Sequence, residues 1–99
     1  MVIIYSDEFK SELEAILDFI ALDSKNRANE FSKKLKTEIA KTKIFPRSYR
    51  KNLSLNDDNV RDLIYKGYVV PFEIHKNRIE ILGIFKNNKH RLSKENENE

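Results

Sequence analysis

The chain has 99 residues, of which 35% are charged and 39% apolar, with 19 Lys/Arg against 16 Asp/Glu and no cysteine. That length holds one domain with a modest core, and the composition is that of a folded α+β protein rather than a disordered one. The absence of cysteine excludes a disulfide framework, thiolate chemistry and a Cys-based zinc site, and no apolar run is long enough for a signal-peptide core or a membrane span.

The charge is unevenly placed: residues 1–40 carry a net −2, residues 41–92 a net +7, and residues 93–99 a net −2. A basic half of this kind suits an anionic partner such as nucleic acid, the ribosome or an acidic protein segment. The lack of cysteine and of any membrane segment leads to the expectation of a cytoplasmic protein with no membrane partner.

In chain order, Val2-Ile3-Ile4-Tyr5 is a short β-prone run and reads as the first strand. Ser6 can cap a following helix, with Asp7 and Glu8 set favourably against its dipole. Phe9, Leu13, Ile16, Leu17 and Ile20 form one apolar stripe on a helix from about Asp7 to Leu22, while Lys10, Glu12, Glu14 and Asp18 make its solvated face. Asp23 or Ser24 caps a second helix, about Lys25 to Lys43, whose stripe is Ala28, Phe31, Leu35 and Ile39, closed by Ile44 and Phe45. The short connection makes the two helices an antiparallel pair. Pro46 pushes Phe45 out of the α region and ends the second helix.

Five cations and no anion lie between Lys41 and Lys51, with Tyr49 among them. Arginine interleaved with tyrosine is what a phosphate-and-base surface uses. Asn56-Asp57-Asp58-Asn59 is a turn-rich bridge into three β-prone runs. Those runs are separated by two-residue breaks, Lys66-Gly67 and Lys76-Asn77. In the middle run Tyr68, Val70, Phe72 and Ile74 alternate with Val69, Pro71, Glu73 and His75. In the last, Ile79, Ile81, Gly83 and Phe85 alternate with Glu80, Leu82 and Ile84. This is the pattern of an antiparallel meander, with Gly67 and Asn77 suited to the positive φ of tight turns. The expected architecture is therefore α+β: an N-terminal strand, an antiparallel helical hairpin and a three-stranded antiparallel meander, in the order β-α-α-β-β-β. A single domain is expected over residues 1–92, followed by a disordered polar tail at 93–99.

No phosphate-binding glycine loop and no internal repeat is present, and no cofactor is expected. The two histidines, His75 and His90, show no spacing that suggests a metal, with no neighbouring carboxylate pair.

Phe45-Pro46, Val60-Arg61-Asp62-Leu63, Gly67-Tyr68, Phe72-Glu73-Ile74 and the run from Ile79 to Asn87 together carry a family resemblance. In that order, and spanning Val2 to about Arg91, they resemble the ParE/RelE superfamily of small toxins from bacterial type II toxin–antitoxin pairs. The resemblance implies a cognate antitoxin as partner and either DNA gyrase or the ribosome with its messenger RNA as target. The messenger-RNA endonucleases of the RelE branch carry a cationic set on the sheet, because cleavage by a ribose 2′-OH needs a base, an acid and positive charge over the phosphate. The corresponding positions here are Val60, Asp62 and Val69, two apolar and one anionic. If the chain were such an enzyme, Arg61, Lys89, His90 and Arg91 would be its catalytic candidates.

The ParE branch, whose members are understood to inhibit gyrase by binding, fits better. Its "G-I-F-K" last strand is matched by Gly83-Ile84-Phe85-Lys86. The expected target-binding residues are then Arg47, Arg50, Lys51, Arg61, Lys86, Lys89, His90 and Arg91. A third reading is a small basic RNA-binding domain without toxicity, for which Tyr65 and Tyr68 would be the stacking rings; the same two residues also suit a cross-strand pair.

Overall fold

The computed structural model describes residues 1–87. Strand β1 (Val2–Tyr5) leads into helices α1 (Asp7–Ala21) and α2 (Lys25–Lys41). A 3-10 turn at Pro46–Ser48 precedes strands β2 (Arg50–Lys51), β3 (Val60–Tyr65), β4 (Tyr68–Ile74), β5 (Arg78–Ile81) and β6 (Phe85–Lys86). The α+β order is as expected, but the sheet is larger than a three-stranded meander. Its strands run β1-β5-β4-β3-β2, with β6 also paired to β4. It is also mixed, because β1 lies parallel to β5 (Val2 opposite Arg78, Tyr5 opposite Ile81) while every other pair is antiparallel.

The helices form where their caps and stripes direct. The Ser6 hydroxyl accepts from the Phe9 amide at 3.1 Å and donates to the Leu82 carbonyl at 3.1 Å, so one side chain starts α1 and ties it to the far end of the chain. Ser24 caps α2 by accepting from the Arg27 amide. Helix α2 stops two residues short of the expected Lys43. Thr42, fully buried, donates its hydroxyl to the Ile39 carbonyl at 2.7 Å, a local bond that competes with continuation of the helix. The chain then turns outward, and Ile44 and Phe45 are 66% and 71% exposed rather than closing the α2 stripe.

The two stripes cover one face of the sheet. Phe9 and Leu13 of α1 and Leu35 and Ile39 of α2 pack with Leu63, Val70, Phe72, Ile79, Ile81 and Ile84 in a single core. Fully burying side chains of this size contributes about 1.5–3 kcal/mol each. Phe31 sets its ring edge-on to Tyr65 and Tyr68 at 5.3 and 5.6 Å, over the pair that closes the β3–β4 hairpin. In that hairpin both turn residues are left-handed, Gly67 at φ 84° and, beyond expectation, Lys66 at φ 47°. A two-residue turn that matches the strand twist needs both positive angles, so the lysine accepts a conformation that asparagine or glycine would adopt at lower cost. Asn77, by contrast, is not left-handed.

The largest departure from the expected pattern lies after β5. Ile81 pairs with Phe72, yet Phe85 pairs with Val69 and Lys86 with Tyr68, so the return strand carries one extra residue. This is a β-bulge across Leu82, Gly83 and Ile84, and it flips the alternation. Ile84 becomes core and Phe85 is 49% exposed, the reverse of a continuous strand. Pro71 sits opposite the break. Its carbonyl accepts from the Leu82 amide at 2.8 Å, and its missing N–H faces the same interrupted edge, where no ladder bond is lost.

The amide that the bulge frees, that of Ile84, donates at 2.9 Å to Oε1 of Glu12 on α1. Glu12, exposed on the solvated face of α1 as expected, is thus also a helix-to-sheet clamp. Gly83 makes room for it, since a Cβ there would stand 2.8 Å from the same oxygen. Glu12→Ala should lower stability by about 1–3 kcal/mol through the unpaired amide. Gly83→Ala should do the same by displacing the carboxylate, and the double variant should be no worse than Glu12→Ala alone. Urea denaturation of the three variants checks this; additive losses would mean that the two residues act separately.

Candidate functional site

The positions that correspond to the endonuclease cations, Val60, Asp62 and Val69, lie on the face of the sheet turned away from the helices. Alternation along β3 and β4 puts Val60, Asp62 and Ile64 on it, with Val69, Pro71 and Glu73, and β5 adds Glu80 opposite Glu73. Val60, Asp62 and Val69, which occupy the positions of the endonuclease cations, are all buried. The Asp62 carboxylate accepts from the Asn52 side-chain amide at 2.8 Å and from Nε of Arg50 at 3.2 Å. The centre of this face is therefore apolar with a buried anion, and further acids lie along it.

Of the cations of the 41–51 stretch, Arg47, Arg50 and Lys51 collect in space with Arg61, around acids, while Lys41 pairs with Glu38 on α2. Asp58 is the hub. Arg47 reaches its carboxylate at 3.4 Å, Arg61 at 3.1 Å and Lys51 at 3.9 Å. Arg47 also donates to the Asn59 side chain at 2.8 Å.

Arg61 is the most committed of the set. Its guanidinium donates to the carbonyls of Arg47 (2.8 Å), Tyr49 (3.0 Å) and Asp58 (3.0 Å) as well as to the Asp58 carboxylate, and only 13% of the side chain is exposed. Arg61 pins the 3-10 turn and the loop before β3, which leaves it little to offer a target. Arg47, Arg50 and Lys51 keep roughly half of each side chain in solvent and can serve both roles. Lys86 stands apart at the other end of β4, its ammonium 5.1 Å from the Tyr68 ring centre. Lys89, His90, Arg91 and the tail at 93–99 lie outside the described residues.

Tyr49 is not an exposed stacking ring within the basic cluster, because it packs edge-on to Phe72 at 5.4 Å. Nor do Tyr65 and Tyr68 form a platform for bases. Tyr65 is 8% exposed beneath Phe31, and burial pushes its phenol above the ordinary value. They are the cross-strand pair of the hairpin. His75 has the carboxylate neighbours that its sequence context did not reveal. Its Nε2 lies 3.4 Å from both Glu73 and Glu80, brought together by the β4–β5 register.

Two features escaped the linear reading. Asp58 looked like one more turn residue, and only its position across from Arg47 and Arg61 makes it a hub. The other is an open, mainly apolar groove between α1 and the end of the sheet, lined by Ala15, Ile16, Phe19, Tyr68, Ile84 and Phe85, with Glu12 and Lys86 also lining it. Phe19 is 74% exposed there, and its signal was available: it is a large aromatic residue off the α1 stripe. No helix among the described residues is long and apolar enough to cross a membrane.

Residues 3–90 match the sequence profile of the ParE toxin of type II toxin–antitoxin systems, parDE. No curated protein sequence matches. Among solved structures, a chain of the chromosomal ParDE toxin–antitoxin system from P. aeruginosa is similar with a TM-score of 0.71 at 19% identity, over 87% of this chain and 95% of that one, a likeness of fold.

The difference between Arg61 and its neighbours is measurable. Arg61→Ala should cost about 2 kcal/mol, since it strips bonds from several backbone carbonyls at once. Arg47→Ala, which removes an exposed pair, should cost less than about 1 kcal/mol. Hydrogen exchange should speed up across residues 46–59 in the first variant only. Equal effects would show that the loop does not hang on Arg61.

Proposed function

The chain belongs to the ParE toxin family of type II toxin–antitoxin systems, and from that premise we propose that it arrests growth by binding DNA gyrase, without chemistry of its own, until a cognate antitoxin sequesters it. The observation that carries this is the character of the open sheet face. Asp62 lies buried there, flanked by the apolar Val60 and Val69, and Glu73 and Glu80 lie along the same face. A scissile phosphate there would meet a buried carboxylate already paired with Arg50, and not the cations that cleavage demands at these three positions. Arg61, the nearest strong cation in the sequence, belongs to the opposite alternation of β3 and is spent on the loop. An inhibitor that works by occupancy needs only a complementary surface, and Arg47, Arg50, Lys51 and Lys86 offer one.

The antitoxin has a surface suited to it as well. The groove beside Phe19 and Phe85 can take the apolar side of an amphipathic segment, and β1, the terminal strand of the sheet among the described residues, offers its outer edge for strand addition.

Purified protein should inhibit gyrase supercoiling and leave ribosome-bound message intact. Lys51→Ala combined with Lys86→Ala should weaken inhibition by about tenfold or more, equivalent to about 1.4 kcal/mol, while the exposed Lys51–Asp58 contact costs less than about 1 kcal/mol of stability. Arg50→Glu is a poorer probe, because it would set a second carboxylate against buried Asp62. Codon-phased cuts in ribosome-bound message, lost on His90→Ala, would replace the gyrase reading with an endonuclease. For the antitoxin, Phe19→Asp should abolish co-purification with the protein encoded beside this chain while toxicity persists. Retention of the complex would move the antitoxin off this groove.

A further inference from the structure

At the end of the sheet opposite the Lys66-Gly67 hairpin, three ligand-bearing side chains converge on the face away from the helices. Glu73 of β4 and Glu80 of β5 are direct cross-strand partners. Like charges placed so are destabilising unless something lies between them. His75 follows β4 by one residue, and its backbone amide is held by the Arg78 carbonyl at 2.9 Å. Its Nε2 is 3.4 Å from Oε1 of Glu73 and 3.4 Å from Oε1 of Glu80. That nitrogen is sealed from solvent, yet it makes no hydrogen bond. One ligand atom from each of the three residues lies within 4.8 Å of the other two.

We propose that Glu73, His75 and Glu80 bind a divalent transition-metal ion of the zinc class. The distances favour a metal over a proton. A protonated imidazole between two carboxylates has one Nε2–H to give, and would draw one oxygen to about 2.7–2.9 Å. Instead both oxygens stand at the same longer distance. With bonds of about 2.0–2.2 Å to nitrogen and carboxylate oxygen, the edge of a tetrahedron around zinc is about 3.3–3.5 Å, which is the spacing found on both sides of the imidazole.

One nitrogen and two carboxylate oxygens form a borderline donor set, suited to zinc more than to magnesium or calcium, which prefer oxygen alone. Two carboxylates balance the charge of the ion and relieve the Glu73–Glu80 repulsion. Three protein ligands leave a fourth position for water or for a partner's side chain. The side chains are 26–34% exposed, so an ion can enter. The bound ion would fasten the β4–β5 turn, against which β1 runs.

The test uses the full chain, stripped with EDTA and titrated with zinc chloride in a calorimeter and with Co2+ as a spectroscopic probe. One zinc per chain should bind with saturation at micromolar concentrations, and the melting temperature should rise with zinc. Co2+ should give the intense visible bands of a low-symmetry, four- or five-coordinate site. His75→Gln and Glu80→Gln should each weaken zinc binding by about tenfold or more, whereas Glu30→Gln, at an exposed position of α2, should leave it unchanged. Glu80→Gln removes a like-charge contact, so its fold should survive, and circular dichroism checks that. Saturable binding only above about 1 mM, affinity unaffected by His75→Gln, or a Co2+ spectrum no stronger than that of the aqueous ion would each overturn the proposal. Gyrase inhibition is a separate readout and can fail without affecting this one.

Discussion

The sheet depends on keeping β4 paired along both edges while one of those edges loses register. On one side β3 follows β4 without a break from Tyr65–Tyr68 to Val60–Glu73. On the other side two short strands share the work, joined by a bulge whose free amide is taken by Glu12 from the helical layer. The bulge lets Ile81 and Ile84, three residues apart, both enter the core. It also places proline at the one stretch of a central strand where a missing donor does no harm. Helix, bulge and proline are therefore one arrangement, and the core beneath α1 closes because of it.

Charge follows a related economy. The basic half of the chain reads as a large positive surface, but much of that charge is answered locally. Asp58 gathers three cations and Asp62 takes a fourth from within the sheet. What remains for a partner is the outward half of Arg47, Arg50 and Lys51, plus Lys86 several strands away. A patch built this way is stiff, since its guanidinium groups are held by bonds to the scaffold. A partner that meets it finds charges already oriented and loses less entropy in fixing them.

Much of the fold was legible because its signals are local. Ser6 and Ser24 as caps, the two stripes, and the break at Lys66-Gly67 depend on neighbours within a turn or two. What the sequence hid depends on distant pairing. Nothing near Val2–Tyr5 says that this strand will lie parallel to β5, and nothing near Gly83 says that a glutamate from α1 will reach it. Strict alternation put Phe85 inside and Ile84 outside, and one extra residue reversed both. The same limit applied to the site. Arg61 was picked out as a free cation because its hydrogen-bonding carbonyls lie on a loop that folds back over it. His75 looked isolated because Glu80 approaches only through the hairpin register. The absence of a cation at position 62 of the open sheet face was visible in the sequence, since the alternation of β3 already placed Asp62 there.

The parallel pairing of β1 has a consequence for the order in which the molecule assembles. Ser6 bonds to Leu82, 76 residues further along, and the β1–β5 ladder spans a similar separation. During synthesis the first strand therefore emerges with no partner, and α1 emerges without the Ile84 amide that Glu12 will hold. Such long-range closure is slow and comes late, after the local hairpins have formed. The described fold is complete only when β5 has arrived. Until then both edges of β1 are unpaired, and afterwards only its outer edge is left for a binding partner.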